Sequence, residues 1–257
     1  MRNFLLFIFT SIIQFTAFSQ TFNILPNSYF KNGELISYVL RYGFITGGQA
    51  TIEVKDSSLD MRNLFQLIAI AKTTGIADKL FHVRDEYESF INKESGLPDL
   101  AIQNVKEGKT YKYYNEARYY RKNNLIVSSK SGEHKVKDSI LDILSAFYYV
   151  RRVDFSKIKE GDSIKLITFF SDDIFPLELR YKGKETIRTK LGKIKCLKFA
   201  PVVDPGRVFK SRDDMLIWYT DDANRIPIKI IFELKIGHLT VEMRSYSKLR
   251  NNIEFTK

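Results

Sequence analysis

The chain has 257 residues, 44% hydrophobic and 28% charged, with 20 Phe and 14 Tyr; this balance excludes a disordered chain and suits broad pleated surfaces around a core. A single cysteine, Cys196, excludes an internal disulfide, and a formal charge of +11 brings nucleic acid and anionic membranes into consideration. Lys193, Lys195, Lys198, Lys229 and Lys235 are scattered along strand-like runs with no basic tail and no nucleic-acid motif, so they read as a solvated face. Nucleic acid is therefore not expected as a partner, and peripheral contact with anionic lipid is the use of that charge which remains.

Residues 1–19 read as an export signal: Arg2 supplies the positive start, Phe4 to Phe18 a short apolar run, and Ala17-Phe18-Ser19 a cleavage site. Cleavage is expected between Ser19 and Gln20, which makes the protein periplasmic or secreted and leaves 20–257 as a single β-rich domain. No cysteine follows the run for lipid attachment, and no later segment approaches eighteen continuous apolar residues.

The next elements alternate with period two. Tyr38, Leu40 and Tyr42 precede Gly43 and Gly47-Gly48, and Ala50, Ile52 and Val54 follow, which predicts a hairpin. A weak helical turn is predicted over Gly75 to Phe81, with Ile76, Leu80 and Phe81 directed inward. Further strand-like runs extend to residue 248, separated by Gly96-Leu97-Pro98, Glu107-Gly108, Asn123-Asn124, Lys182-Gly183, Asp221-Asp222-Ala223-Asn224 and Gly237. One segment breaks the period: Ile140, Ile143, Leu144, Phe147 and Tyr148 mark one face of a helix, capped by Ser139 with Asp142. The expected fold is mainly β: a single antiparallel curved sheet, half-barrel or sandwich, with one main helix at about 139–151.

Several strings in order resemble one exported bacterial family. They are Gly33-Glu34 with Tyr38, Tyr42-Gly43 and Gly47; Lys72-Thr73 with Gly75; Asp85, Tyr87 and Ser89; Gly96-Leu97-Pro98; Glu107-Gly108; Asp142 to Arg151; and Trp218 to Pro227. This pattern is similar to the domain-of-unknown-function family DUF3108. The resemblance implies an envelope β protein and supplies no catalytic residues. A fold-level likeness to lipoprotein-carrier half-barrels implies a concave apolar cavity.

No catalytic set stands out. Ser28 to Lys31 fits S-x-x-K and Lys130-Ser131-Gly132 imitates K-T-G, but the first precedes a hairpin and no S-D-N partner exists. Asp221 and Asp222 are weak candidates for a cation and better candidates for a turn; Asp172-Asp173 and Asp213-Asp214 sit in similar contexts. His82, His134 and His238 are far apart, so no metal or cofactor is expected. Cys196, in a strand-like run, reads as a small buried thiol. The expected function is binding of a lipid or other hydrophobic small molecule without catalysis, with Tyr38, Tyr42, Tyr113, Tyr148, Arg151 and Trp218 as ligand-facing candidates. The alternatives are an envelope hydrolase using carboxylates such as Asp85, Glu86 and Glu88, and a scaffold of an envelope complex.

Overall fold

A computed structural model describes residues 22–202, 211 and 213–256; the expected signal segment and its Ser19–Gln20 cleavage site lie outside them. The alternating runs resolve into β1 (Leu35–Tyr42), β2 (Ile45–Leu59), β3 (Arg62–Thr73), β4 (Arg84–Asn92), β5 (Pro98–Glu107), β6 (Tyr111–Tyr120), β7 (Leu125–Ser128) and β8 (Gly132–Lys135). They continue as β9 (Ser163–Phe170), β10 (Asp173–Thr189), β11 (Gly192–Pro201), β12 (Met215–Thr220), β13 (Pro227–Glu233), β14 (His238–Ser247) and β15 (Phe255–Thr256). Among the described residues two α-helices interrupt them, α1 (Gly75–Leu80) and α2 (Ile143–Val150).

All strands belong to one curved antiparallel sheet built from two meanders. β1 to β8 follow one another outward from the β1–β14 pair, β14 back to β9 follow on the other side, and β15 adds to β11. The edges are therefore β8 and β9, which are consecutive in the chain. The segment between them carries α2 into the concavity, where Leu144, Ser145, Ala146, Tyr148 and Val150 are all buried.

The backbone ladder stays open between these edges, but the seam is bridged. Leu141 pairs in parallel with Thr168, its N–H donating to Ile167 at 2.9 Å while Phe169 donates back to its carbonyl at 2.7 Å. Ala101, Ala117, Tyr119 and Ile126 from one side pack with Ile140 and Phe169 from the other.

This pairing explains why the helix is shorter than its periodicity predicts. Leu141 is held in extended backbone by β9, so the helix begins only after Asp142. The expected Ser139 cap is replaced by Asp142, which accepts from the N–H groups of Leu144 and Ser145 at 2.8 and 3.0 Å, while Ser145 Oγ accepts from the Asp142 N–H at 3.0 Å. The second Asp142 oxygen accepts from Ser89 Oγ at 2.5 Å, tying the helix start to the middle of β4. Ser89→Ala leaves that buried oxygen without its donor and is expected to cost about 1–2 kcal/mol, read as a lower urea midpoint at unchanged m-value.

Three local expectations are corrected. Lys182-Gly183 is not a turn: β10 runs through it with a bulge between Tyr181 and Lys184, where Gly183 takes φ +94°. Gly47-Gly48 lies inside β2, and a Cβ on Gly48 would meet the Lys72 carbonyl at 2.8 Å. The turn at Gly75 to Phe81 is helical, but Ile76, Leu80 and Phe81 face solvent.

One end of the sheet is sealed by chain segments outside it. Leu25 N–H donates to the Arg152 carbonyl at 2.8 Å and Asp154 N–H to Asn23 at 2.8 Å, while Asn251 Nδ2 reaches the carbonyls of Ser28 and Ala223 at 3.0 and 2.9 Å. The opposite end carries the β1–β2 and β13–β14 reversals and α1.

Candidate functional site

A cavity of about 380 Å³ lies between α2 and the concave face. Tyr38, Ala50, Ala69, Ala71, Phe147 and Phe232 are among its walls. Its origin is a register of small side chains: Ala50 stands opposite Ala71, and Ile52 opposite Ala69. Methyl groups there leave a hollow that Ile230, Phe232 and Val241 on β13 and β14 bound without filling. A second cavity of about 160 Å³ lies on the other flank of α2, sharing Ile143 and Phe147 and walled by Leu177, Leu179, Met215 and Ile217.

Among the described residues, neither cavity is lined by an ionisable side chain other than tyrosine. The Tyr38 hydroxyl donates to the Pro227 carbonyl at 2.9 Å, and burial holds the phenol far above the ordinary value, more strongly than the nearby Arg151 charge lowers it. Burial likewise pushes Tyr87 up to about 12, and its ring stacks on Phe170 with centroids 6.2 Å apart. At neutral pH these described walls are therefore uncharged and apolar, suited to hydrocarbon.

Arg151 lies behind this space, at the sealed end. Its guanidinium donates to both Glu34 oxygens at 2.5 and 2.9 Å, to the Tyr29 carbonyl at 2.9 Å and to the Asn224 carbonyl at 3.0 Å. Burial alone would lower its pKa, but the paired Glu34 carboxylate more than offsets this and keeps the guanidinium charged. Tyr148 donates to the same Glu34 oxygen at 3.2 Å, and its ring lies 4.8 Å from the guanidinium. Glu34, Arg151 and Asn224 come from three of the separate strings noted in the sequence, so those strings meet in one buried structural knot.

The structure does not bring the six ligand-facing candidates together. Tyr38 lines the larger cavity, Tyr148 and Arg151 belong to the knot, and Tyr42 is exposed at the α1 end, donating to the Ile236 carbonyl at 2.5 Å. Tyr113 sits on the seam, donating to Asp172 at 2.7 Å. Trp218 is buried on the face opposite Ile217 and Tyr219, with its Nε1 donating to Glu185 at 3.1 Å and Lys198 lying 5.1 Å from its ring centroid. Sequence reasoning missed Ala50, Ala69 and Ala71, whose signal was small residues two apart within a strand-like run.

The carboxylates are also dispersed. Asp222 closes the β12–β13 turn by accepting from Thr220 Oγ1 at 2.6 Å and from the Asn224 N–H at 2.8 Å, and Asp221 pairs with Lys184 at 2.7 Å. Asp213 pairs with Arg180 and Lys182 at the other end of β12, while Asp172 lies across the seam. Glu86 and Glu88 alternate with the inward-facing Tyr87 and Ser89 and so face the convex side. Ser28 and Lys31 lie outside helix, at the sealed end, whereas Lys130 to Gly132 sit at the β7–β8 reversal. Among the described residues no group of three or more His, Cys, Asp or Glu is placed to hold a metal ion. Burial pushes the Cys196 thiol up to about 12.

The comparisons with known proteins agree with this architecture. A crystal structure of a beta-barrel-like protein of domain of unknown function DUF1849 from Brucella abortus is similar in fold, with a TM-score of 0.56 at 10% identity over 85% of this chain and 98% of that one. No curated protein matches the chain. The model of the family described as "Protein of unknown function (DUF3108)" matches residues 37–244, from the third residue of β1 to within β14. That span takes in α2 and both cavities' strands, and the chain belongs to the DUF3108 family.

Proposed function

We propose that this chain is a non-enzymatic binding protein for one hydrophobic molecule about the size of an acyl chain, held against α2 in the larger cavity. The observation that supports the reading is the cavity itself: about 380 Å³, walled by apolar side chains and two neutral phenols. Burying a methylene is favourable by about 0.8 kcal/mol, so roughly ten of them offer about 8 kcal/mol before the ordering cost is subtracted. The export signal read at residues 1–19 would deliver such a protein to the periplasm or the exterior, where lipids are the abundant ligands of that shape.

Ala69→Trp tests this by filling the hollow from the wall. Uptake of a fluorescent fatty acid is expected for the native chain and is expected to fall at least about tenfold in the variant, at a similar melting temperature. Native mass spectrometry after gentle purification should show bound lipid on the native chain. An absence of uptake in both measurements, or uptake indifferent to Ala69→Trp, would remove the reading.

A further inference from the structure

The α1 end of the sheet gathers apolar residues that the core does not use. Tyr42 Oη donates to the Ile236 carbonyl at 2.5 Å and Gly43 N–H to the His238 carbonyl at 3.0 Å, which joins the β1–β2 turn to the β13–β14 turn. Thr74 N–H donates to the Gly47 carbonyl at 3.0 Å, setting α1 beside the same turn, and the Phe81 ring lies against Gly108 of the β5–β6 turn. The β1–β2 and β13–β14 reversals and α1 project apolar tips: Phe44 is 95% exposed, Ile236 81%, Leu80 81%, Ile76 76% and Ile45 57%. α1 buries none of its residues, so packing does not account for its apolar side chains. A contiguous exposed set of this kind marks an interaction surface.

The charge around these tips selects the partner. Lys72, Lys79, Arg84, Lys109, Lys112 and Lys235 are all exposed on the same reversals or the strand ends beside them. Most carboxylates that share this end are engaged: Asp213 pairs with Arg180 and Lys182, Asp214 accepts from the Ser211 N–H at 2.7 Å and Asp172 from Tyr113 and Asn115, while Asp173 is exposed. Asp78 is bonded to Thr73 and His82 at 2.7 and 2.8 Å, Asp85 accepts from the Lys106 N–H at 3.2 Å, Glu107 is half-buried, and Glu233 is exposed. Tips on separate turns need no matching pockets in a fluid acyl layer, and lysines can carry their charge to head groups beside them.

We infer that this rim docks the protein onto an anionic lipid bilayer, with Phe44, Ile45, Ile76, Leu80 and Ile236 entering the interface and the lysines meeting the head groups. The larger cavity reaches Phe232 and Ala71, close to these reversals, so docking would set its upper wall at the bilayer; that link alone rests on the proposed ligand.

Flotation of the full chain with phosphatidylcholine vesicles and with mixed phosphatidylcholine–phosphatidylglycerol vesicles tests the inference. Binding is expected to the mixed vesicles, weakening with salt, and not to phosphatidylcholine alone. The combined Phe44→Ser, Ile45→Ser and Leu80→Ser variant is expected to bind at least about tenfold more weakly, as is Lys79→Glu with Lys109→Glu and Lys235→Glu. These positions are exposed, so melting temperatures should match the native chain. The rim variants should keep fatty-acid uptake and Ala69→Trp should keep flotation, which separates a failure of docking from a failure of the cavity reading. No flotation with mixed vesicles, flotation that survives both sets of substitutions, or a rim that captures only a protein overturns the inference.

Discussion

Arg151→Met is expected to destabilise the protein by about 3–5 kcal/mol, because it leaves Glu34 buried without its counter-ion. The two side chains are 1% and 0% exposed, so water cannot take over the lost partner. The same change strips the Tyr29 and Asn224 carbonyls of a charged donor, and these belong to the segments that seal the end of the sheet. Damage should therefore spread to the N-terminal segment and the β12–β13 turn, seen as faster amide exchange there than elsewhere. The double variant Glu34→Leu with Arg151→Met removes both charges and should recover part of the loss, the remainder reflecting the Tyr29 and Asn224 carbonyls and the Tyr148 hydroxyl left without partners. Urea denaturation measures both; a loss below about 1 kcal/mol for the single variant would mean that the knot does not anchor the fold.

The seam gives the second large effect. Ser171 and Asp172 form a two-residue reversal between β9 and β10 with φ of +51° and +65°, the left-handed geometry of a tight hairpin turn, tolerated by Asp. From there Asp172 accepts from Tyr113 Oη at 2.7 Å, Asn115 Nδ2 at 2.9 Å, Ser131 Oγ at 2.6 Å and also Ser128 Oγ, so one carboxylate clasps β6 and the β7–β8 end across the open edge. Asp172→Ala removes the common acceptor and is expected to cost about 2–3 kcal/mol. Burial alone would raise the Asp172 carboxyl, but the hydroxyls of Ser128, Ser131 and Tyr113 and the Asn115 amide hold it below the ordinary value. A depressed carboxyl stabilises above its unfolded pKa of about 4, and that contribution is lost as pH falls through the lower folded value. The stability gap between the native chain and Asp172→Asn should therefore be full at neutral pH and close in acid. A gap that stays constant with pH would show that the carboxylate charge is not what clasps the seam.

Much of the sheet is legible in the sequence. Alternation such as Tyr38-Val39-Leu40-Arg41-Tyr42 is a local consequence of one face turning inward, and the solitary helical period from Ile140 to Tyr148 stands out against it. The misreadings were equally local. Gly183 carries turn chemistry, yet a glycine at positive φ serves a bulge as well as a reversal. Ile76, Leu80 and Phe81 have the types of core residues, and only the placement of α1 outside the sheet shows that they are rim. Of the candidate site, the sequence names Tyr38, but the same candidate set includes Trp218 and Arg151, which serve the opposite face and the buried knot.

By itself, the sequence determined strand and helix type, the basic exterior and a family-wide pattern of strings, because each depends on residues within a few positions of one another. The tertiary structure alone decided that β1 lies beside β14, that β8 and β9 meet at a clasped seam, and that Ala50 faces Ala71 beneath α2. Those are register and closure relations between distant segments. A hollow arises where small side chains from different strands fall at the same height, which no single run of residues can specify.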